Sequence, residues 1–209
     1  MATSIDEIRG YLDECDLRYR VDDEEEAILI GFRVDPQTST YRTPDGEPHV
    51  RIVIRVLEGG DFVEVFSPNA WNILGSLHKA AVFETLASIQ SRYKMLRFDY
   101  DPADGEIRPN IELPLEDAGL TSRQFHRLLQ GVLHGTQRYD RAIRLAADAG
   151  EISAAALADD DSASPADASL GDLMHLADRA GGIDALERLI GGDDAPEDGR
   201  DVDSGTKPR

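Results

Sequence analysis

The sequence predicts an α+β domain: a twisted, mainly antiparallel sheet with helices packed on one face, followed by an acidic C-terminal tail. Three stretches carry this prediction. Residues 94–147 read as strand, tight turn, strand and one long helix (KMLRFDY, DPADG, EIRPNIELPL, then TSRQFHRLLQGVLHGTQRYDRAIRLA). Residues 49–66 read as a second hairpin. In it Val50, Ile52, Ile54 and Val56 alternate with Arg51, Val53 and Arg55, and then Val63 and Val65 alternate with Phe62, Glu64 and Phe66. A period of two marks strands that present different faces to core and solvent. Beyond Ala147 the chain becomes rich in Ala, Ser and Asp, a composition that does not build a core.

Taken in order, Ser4 and Glu7 have the spacing of a capping box. Ile5, Ile8, Leu12 and Cys15 then recur at helical spacing over about three turns. Short strands are expected at 18–21 and 27–34, separated by the five consecutive carboxylates Asp22 to Glu26. Consecutive side chains diverge, so this run reads as a solvated turn in preference to a metal site. Residues 35–48 carry the turn signal Thr43-Pro44-Asp45-Gly46, and a short edge strand is expected around 39–42.

After the second hairpin, a helix is expected over 77–93 with Val82, Leu86, Ile89 and Tyr93 on one stripe. Leu74, Leu77 and Ala81 form a second stripe, and Trp71 lies just ahead in a segment with no assignable pattern. In the next hairpin Leu96, Phe98 and Tyr100 oppose Met95, Arg97 and Asp99. Gly105 supplies the positive φ that its turn needs. On the return strand Ile107, Ile111 and Leu113 oppose Arg108, Asn110 and Glu112. Thr121 or Ser122 caps the long helix, whose stripe is Phe125, Leu129, Val132, Thr136, Tyr139 and Ile143.

FDYDPADGEIRPNIELPL followed by a helix carrying RYDRAIRLA resembles the closing half of YbjN-like domains. The resemblance extends over residues 4 to 148. It implies the fold of the type III secretion chaperones and a binding or regulatory role in place of a reaction. In those chaperones the region of the second helix contributes to a dimer interface. The expected organisation is a YbjN-like α+β domain over 1–148, an acidic flexible linker over 149–168, a short amphipathic helical segment over 169–191 and a disordered acidic tail over 192–209. The helical segment is marked by Leu170, Leu173, Met174 and Ala177, then Ile183, Leu186, Leu189 and Ile190, around a Gly181-Gly182 break.

The 209 residues carry a net charge of −19. Residues 1–150 hold 17 Lys+Arg against 26 Asp+Glu, and 151–209 hold 5 against 15, so the last quarter carries half of the excess. Such a surface repels phosphate backbones and anionic lipid, so nucleic-acid and membrane partners are not expected. One cysteine, Cys15, excludes an intramolecular disulfide and a multi-thiolate metal site. With neither a signal-like start nor a long apolar run, the sequence reads as a cytoplasmic protein.

The sequence offers no catalytic set, no metal site and no cofactor motif. Asp99, Asp101 and Gly105 lack the third ligand and the glycine position of a calcium loop. His49, His78, His126, His134 and His175 form no His-x-x-x-His pair. No phosphate loop or nucleophile elbow is present. Two features remain. Gly131 and Gly135 place a small face on the long helix, for packing on the domain's own sheet or for a contact between two subunits. The sheet face turned away from the helices gathers Arg51, Val53, Arg55, Phe62, Glu64, Phe66, Met95, Arg97, Arg108, Asn110 and Glu112. Arginine with phenylalanine is the chemistry of interface hot spots; the plain alternative is cross-strand ion pairing with Glu64, Asp99 and Glu112.

The expected function is therefore that of a non-enzymatic, YbjN-like protein-binding module, chaperone-like or regulatory. It would dock a partner segment through Arg51, Val53, Arg55, Phe62, Phe66, Arg97 and Arg108, and form a homodimer through the second or third helix. Two alternatives are an adaptor whose C-terminal helices make the contact and a small-molecule sensor with a pocket between sheet and helices.

Overall fold

The computed structural model of this chain describes residues 2–158 except 23, 38 and 117. The predicted linker beyond 158, the helical segment and the acidic tail lie outside the described residues. In chain order the elements are α1 (Ile5–Asp13), β1 (Arg20–Asp22), β2 (Ala27–Arg33), β3 (His49–Leu57), β4 (Phe62–Phe66), β5 (Trp71–Asn72), α2 (Lys79–Gln90), β6 (Arg97–Tyr100), β7 (Glu106–Pro114), α3 (Ser122–Ala149) and α4 (Ala154–Leu157). The fold class is α+β, as the alternation in the sequence requires.

Among the described residues seven strands form one antiparallel sheet, in which β1, β2, β3, β4 and β7 follow one another. β7 is paired on both edges. Asn110 stands opposite both Phe66 and Arg97, and Ile107 opposite both Trp71 and Tyr100, so β4 and β5 share one edge and β6 takes the other. β5 thus continues the line of β4 after a bend at residues 67–70. Most of the alternating apolar residues of the strands point to one side. There Ile30, Ile52, Val65 and Ile111 meet Ile8, Val82, Phe125, Leu129 and Val132 in one buried cluster. The predicted stripe of α3 is buried along its whole length. Thr121 and Gln124 cap its start reciprocally, and Gly150, at φ 69°, takes the left-handed position at its end.

Several expectations change. No strand forms at 39–42. Instead Tyr41 is fully buried, with its hydroxyl donating to the Ala70 carbonyl at 3.2 Å. α2 starts at Lys79, not at 77, because side chains ahead of it bond the backbone locally. The Asn72 side chain accepts from the Leu74 amide and the Ser76 hydroxyl from the His78 amide, and such local bonds compete with a helical turn. Leu74 and Leu77 therefore sit outside the helix and are exposed. β6 begins at Arg97, which leaves Met95 before the strand at φ 69° and off the sheet face. Residues 149–158 are not free linker. α3 runs to Ala149, and α4 buries Ala156 and Leu157. Arg92 donates to the Leu157 carbonyl at 2.8 Å, and Arg138 donates to the carbonyls of Ala156 and Ala158.

Candidate binding face

The strand register puts the seven expected binding residues on one face, opposite the helices. Val53 pairs with Phe66 and Arg55 with Glu64 across β3 and β4. Phe66 pairs with Asn110, Asn110 with Arg97, and Arg108 with Asp99 across β4, β7 and β6. Arg51 lies one pair further along β3 and Phe62 at the opposite end of β4. On this face Ala27, Val53 and Phe66, with Leu29 against them, form an apolar strip separate from the main core.

The strip is covered by arginines. The guanidinium of Arg55 stands 5.3 Å and that of Arg108 5.2 Å from the centre of the Phe66 ring. Phe66 is 4% exposed and Val53 8%. Arg55 reaches Glu25 at 3.5 Å and Arg108 reaches Asp99 at 3.4 Å, pairs that are all at least a quarter exposed. Exposed pairs of this kind contribute about 0–1 kcal/mol each, and an exposed cation–π contact about 0.5–1 kcal/mol. Both lids are thus cheap to lift, and lifting them bares Phe66.

The remaining arginines are more firmly engaged. Arg97 makes a two-pronged contact with Glu112 across to β7, which holds its guanidinium above the ordinary arginine range, and reaches Asp99 at 3.5 Å. Asn110 donates to Asp99 at 2.9 Å and to Glu64 at 3.1 Å, tying the network together. Cross-strand ion pairing, the plain alternative, is therefore realised on the β6–β7 side. Arg51 is pinned to Asp45 at 2.7 Å with its side chain only 9% exposed. Burial alone would raise the Asp45 carboxyl, but hydrogen bonds from Thr43 and Arg51 bring it below the usual range. Arg51 is thus part of a loop anchor, and the accessible cations are Arg55, Arg97 and Arg108. Phe62 lies half-buried opposite Pro114.

The glycine face of α3 is used within the chain. A Cβ on Gly131 would lie 2.7 Å from Ile111 Cδ1, and one on Gly135 would lie 2.6 Å from Leu96 Cδ2. Both glycines are buried, Gly131 facing Ile111 of β7 and Gly135 facing Leu96 just ahead of β6.

Two constellations escaped the sequence reading, because each joins residues more than 60 positions apart. Cys15 Sγ lies 3.2 Å from His126 Nε2. Burial pushes the thiol up and the imidazole down, so the pair is held neutral instead of as thiolate and imidazolium. Nucleophilic chemistry needs the opposite shifts. The second is Asp140, 1% exposed, which accepts from Trp71 Nε1 at 3.0 Å and from Arg144 Nε at 2.8 Å. Arg144 also donates to the Arg42 carbonyl, so this clip ties β5, the 35–48 loop and α3 together.

His134, packed against Tyr93 and beside Arg138, is also lowered, by burial first and by the Arg138 charge second. For a histidine with its folded pKa below the unfolded value, the unfolded chain binds the extra proton. Stability is then complete above about pH 6.5 and is lost as pH falls through the folded pKa. His134→Gln is expected to flatten the acid side of a melting-temperature profile between about pH 7 and pH 5. An unchanged slope would show that His134 does not couple protonation to folding.

Among the described residues no group of three or more His, Cys, Asp and Glu is placed to hold a metal ion, and no helix is long and apolar enough to cross a membrane. No protein-family model and no curated protein matches the sequence. Similar solved structures include YbjN from E. coli, at 12% identity and a TM-score of 0.42, covering 65% of this chain and 90% of that one. A chain of the HopA1–SchA chaperone–effector complex is similar at 8% identity and a TM-score of 0.41, covering 61% and 84%. A chain of the ExsC–ExsE complex is similar at 17% identity and a TM-score of 0.41, covering 64% and 88%.

Proposed function

We propose that this chain is a non-enzymatic protein-binding module that docks an extended partner segment on the open sheet face. The observation that carries the reading is the Ala27–Leu29–Val53–Phe66 strip lying under two loosely held arginines. A strip of this form suits a segment that alternates apolar side chains with carboxylates. The apolar side chains would replace Arg55 and Arg108 over Phe66, and the carboxylates would pair with the displaced guanidiniums. Arg97 and the Asp99–Asn110–Glu64 network fix the rim of the site. Phe62 and the exposed Leu57 extend the apolar surface toward the far end of β4.

Arg55→Glu combined with Phe62→Ala is expected to lower partner capture by about tenfold or more, since it reverses one cation and removes one aromatic anchor. The circular-dichroism melt should stay nearly unchanged, because neither side chain belongs to the main core. Capture at the parental level by the double variant would remove the assignment of this face.

A further inference from the structure

Four of the exposed large apolar side chains, Leu74, Leu77, Phe83 and Ile152, lie near the start of α2 and the end of α3. Leu74 packs its backbone against Gly105, in the turn that follows Tyr100. The Phe83 ring meets Tyr100 edge-on at 5.1 Å, with the Lys79 ammonium 6.0 Å from the same ring. Leu77 is 93% exposed between Ser76, which donates to the Ala147 carbonyl, and His78, which lies against Gly150. An exposure of that size for a leucine, beside further exposed apolar groups, marks a surface made to be covered.

The chain carries a segment whose length and pattern fit this surface. The described residues end at Ala158, which Arg138 holds at the helix layer, while Arg92, just past the C-terminal end of α2, holds the Leu157 carbonyl. The patch lies at the other end of the same helix. α2 has 12 residues and so spans about 18 Å. The eleven residues 159–169 reach up to about 36 Å, twice that distance. Directly after them comes the one stretch of 159–209 in which apolar residues recur at helical spacing, from Leu170 to Ile190. The stretch carries four carboxylates, Asp172, Asp178, Asp184 and Glu187, against two arginines, Arg179 and Arg188, and this net negative charge complements Lys79 at the patch.

We infer that residues 170–190 seat their apolar side chains on the Leu74–Leu77–Phe83 patch of their own chain. The inference is independent of the open sheet face, which lies on the other side of the sheet.

The test uses the full-length chain with Leu77 replaced by a photoreactive benzophenone amino acid, mixed as isotopically heavy and light copies. Leu77 is so exposed that the replacement does not disturb the core. Irradiation is expected to give crosslinks within one chain to peptides from 170–190, well above those from the same probe at exposed Arg123. Leu173→Asp with Leu186→Asp should lower that yield by about tenfold or more. Crosslinks joining heavy to light copies would assign the cover to a second molecule and overturn the inference. A yield no higher than at Arg123, or one indifferent to the two aspartates, would overturn it equally.

Discussion

Gly105→Ala is expected to destabilise the fold by about 2–4 kcal/mol and to lower the melting temperature by about 5–15 °C. Gly105 holds φ at 81°, where an L side chain is strained. Its added Cβ would also lie 2.4 Å from the Leu74 amide nitrogen and 2.6 Å from Leu74 Cα. These are backbone atoms and cannot rotate aside. Relief requires the β6–β7 turn and the 73–76 segment to separate, which breaks the bond from the Ile73 amide to the Gly105 carbonyl at 2.9 Å. A melting temperature within about a degree of the parent would show that the turn yields freely. Gly131→Ala makes a useful contrast: its Cβ meets only the far end of the Ile111 side chain, and it recovers up to about 1 kcal/mol of helix propensity.

Asp140→Ala is the second large effect, expected at about 2–4 kcal/mol. It strips the buried Trp71 indole N–H of its acceptor and takes from Arg144 its carboxylate. Arg144 is partly exposed and keeps the Arg42 carbonyl, which limits the loss on that side. Asp140→Asn retains an acceptor and should cost less than half as much. In a double-mutant cycle, Trp71→Phe should make Asp140→Ala milder, since no indole donor is then left unpaired. Trp71 is the single tryptophan, so its fluorescence reports the local change directly. Full additivity of the two substitutions would mean that the hydrogen bond contributes nothing.

The hairpins and the long helix were legible because each carries a strict period. Val50, Ile52 and Ile54 alternate, Phe125 to Ile143 recur at helical spacing, and Gly105 closes its turn as its position demands. The same parity collected Arg55, Phe66, Arg97 and Arg108 on one face before any register was known. What period cannot convey is which partners a folded chain brings together. Tyr41 sits in a Thr- and Pro-rich loop yet fills the core beside Trp71, at a ring distance of 6.0 Å. Trp71 itself lies in a two-residue strand, too short to show alternation. The start of α2 was misplaced because Asn72 and Ser76 bond their neighbours' amides, an effect of single side chains on local backbone. Arg51 belongs to the face by parity, but the turn carrying Asp45 folds over it, and nothing in the strand pattern foretells that. Likewise the Gly131–Gly135 face gives the same pattern whether it receives Ile111 and Leu96 or a second subunit.

The measurement that bears most directly on the proposed function is an oxidative footprint of the full-length protein, free and with its captured partner, read residue by residue. Docking on the open face predicts protection centred on Leu29, Leu57 and Phe62, with Tyr93 and Phe83 on the helical side unchanged. It further predicts that Arg55→Glu with Arg108→Glu removes both the capture and the protection. Protection confined to α2 and α3, with the open face as reactive as in the free protein, would contradict the account.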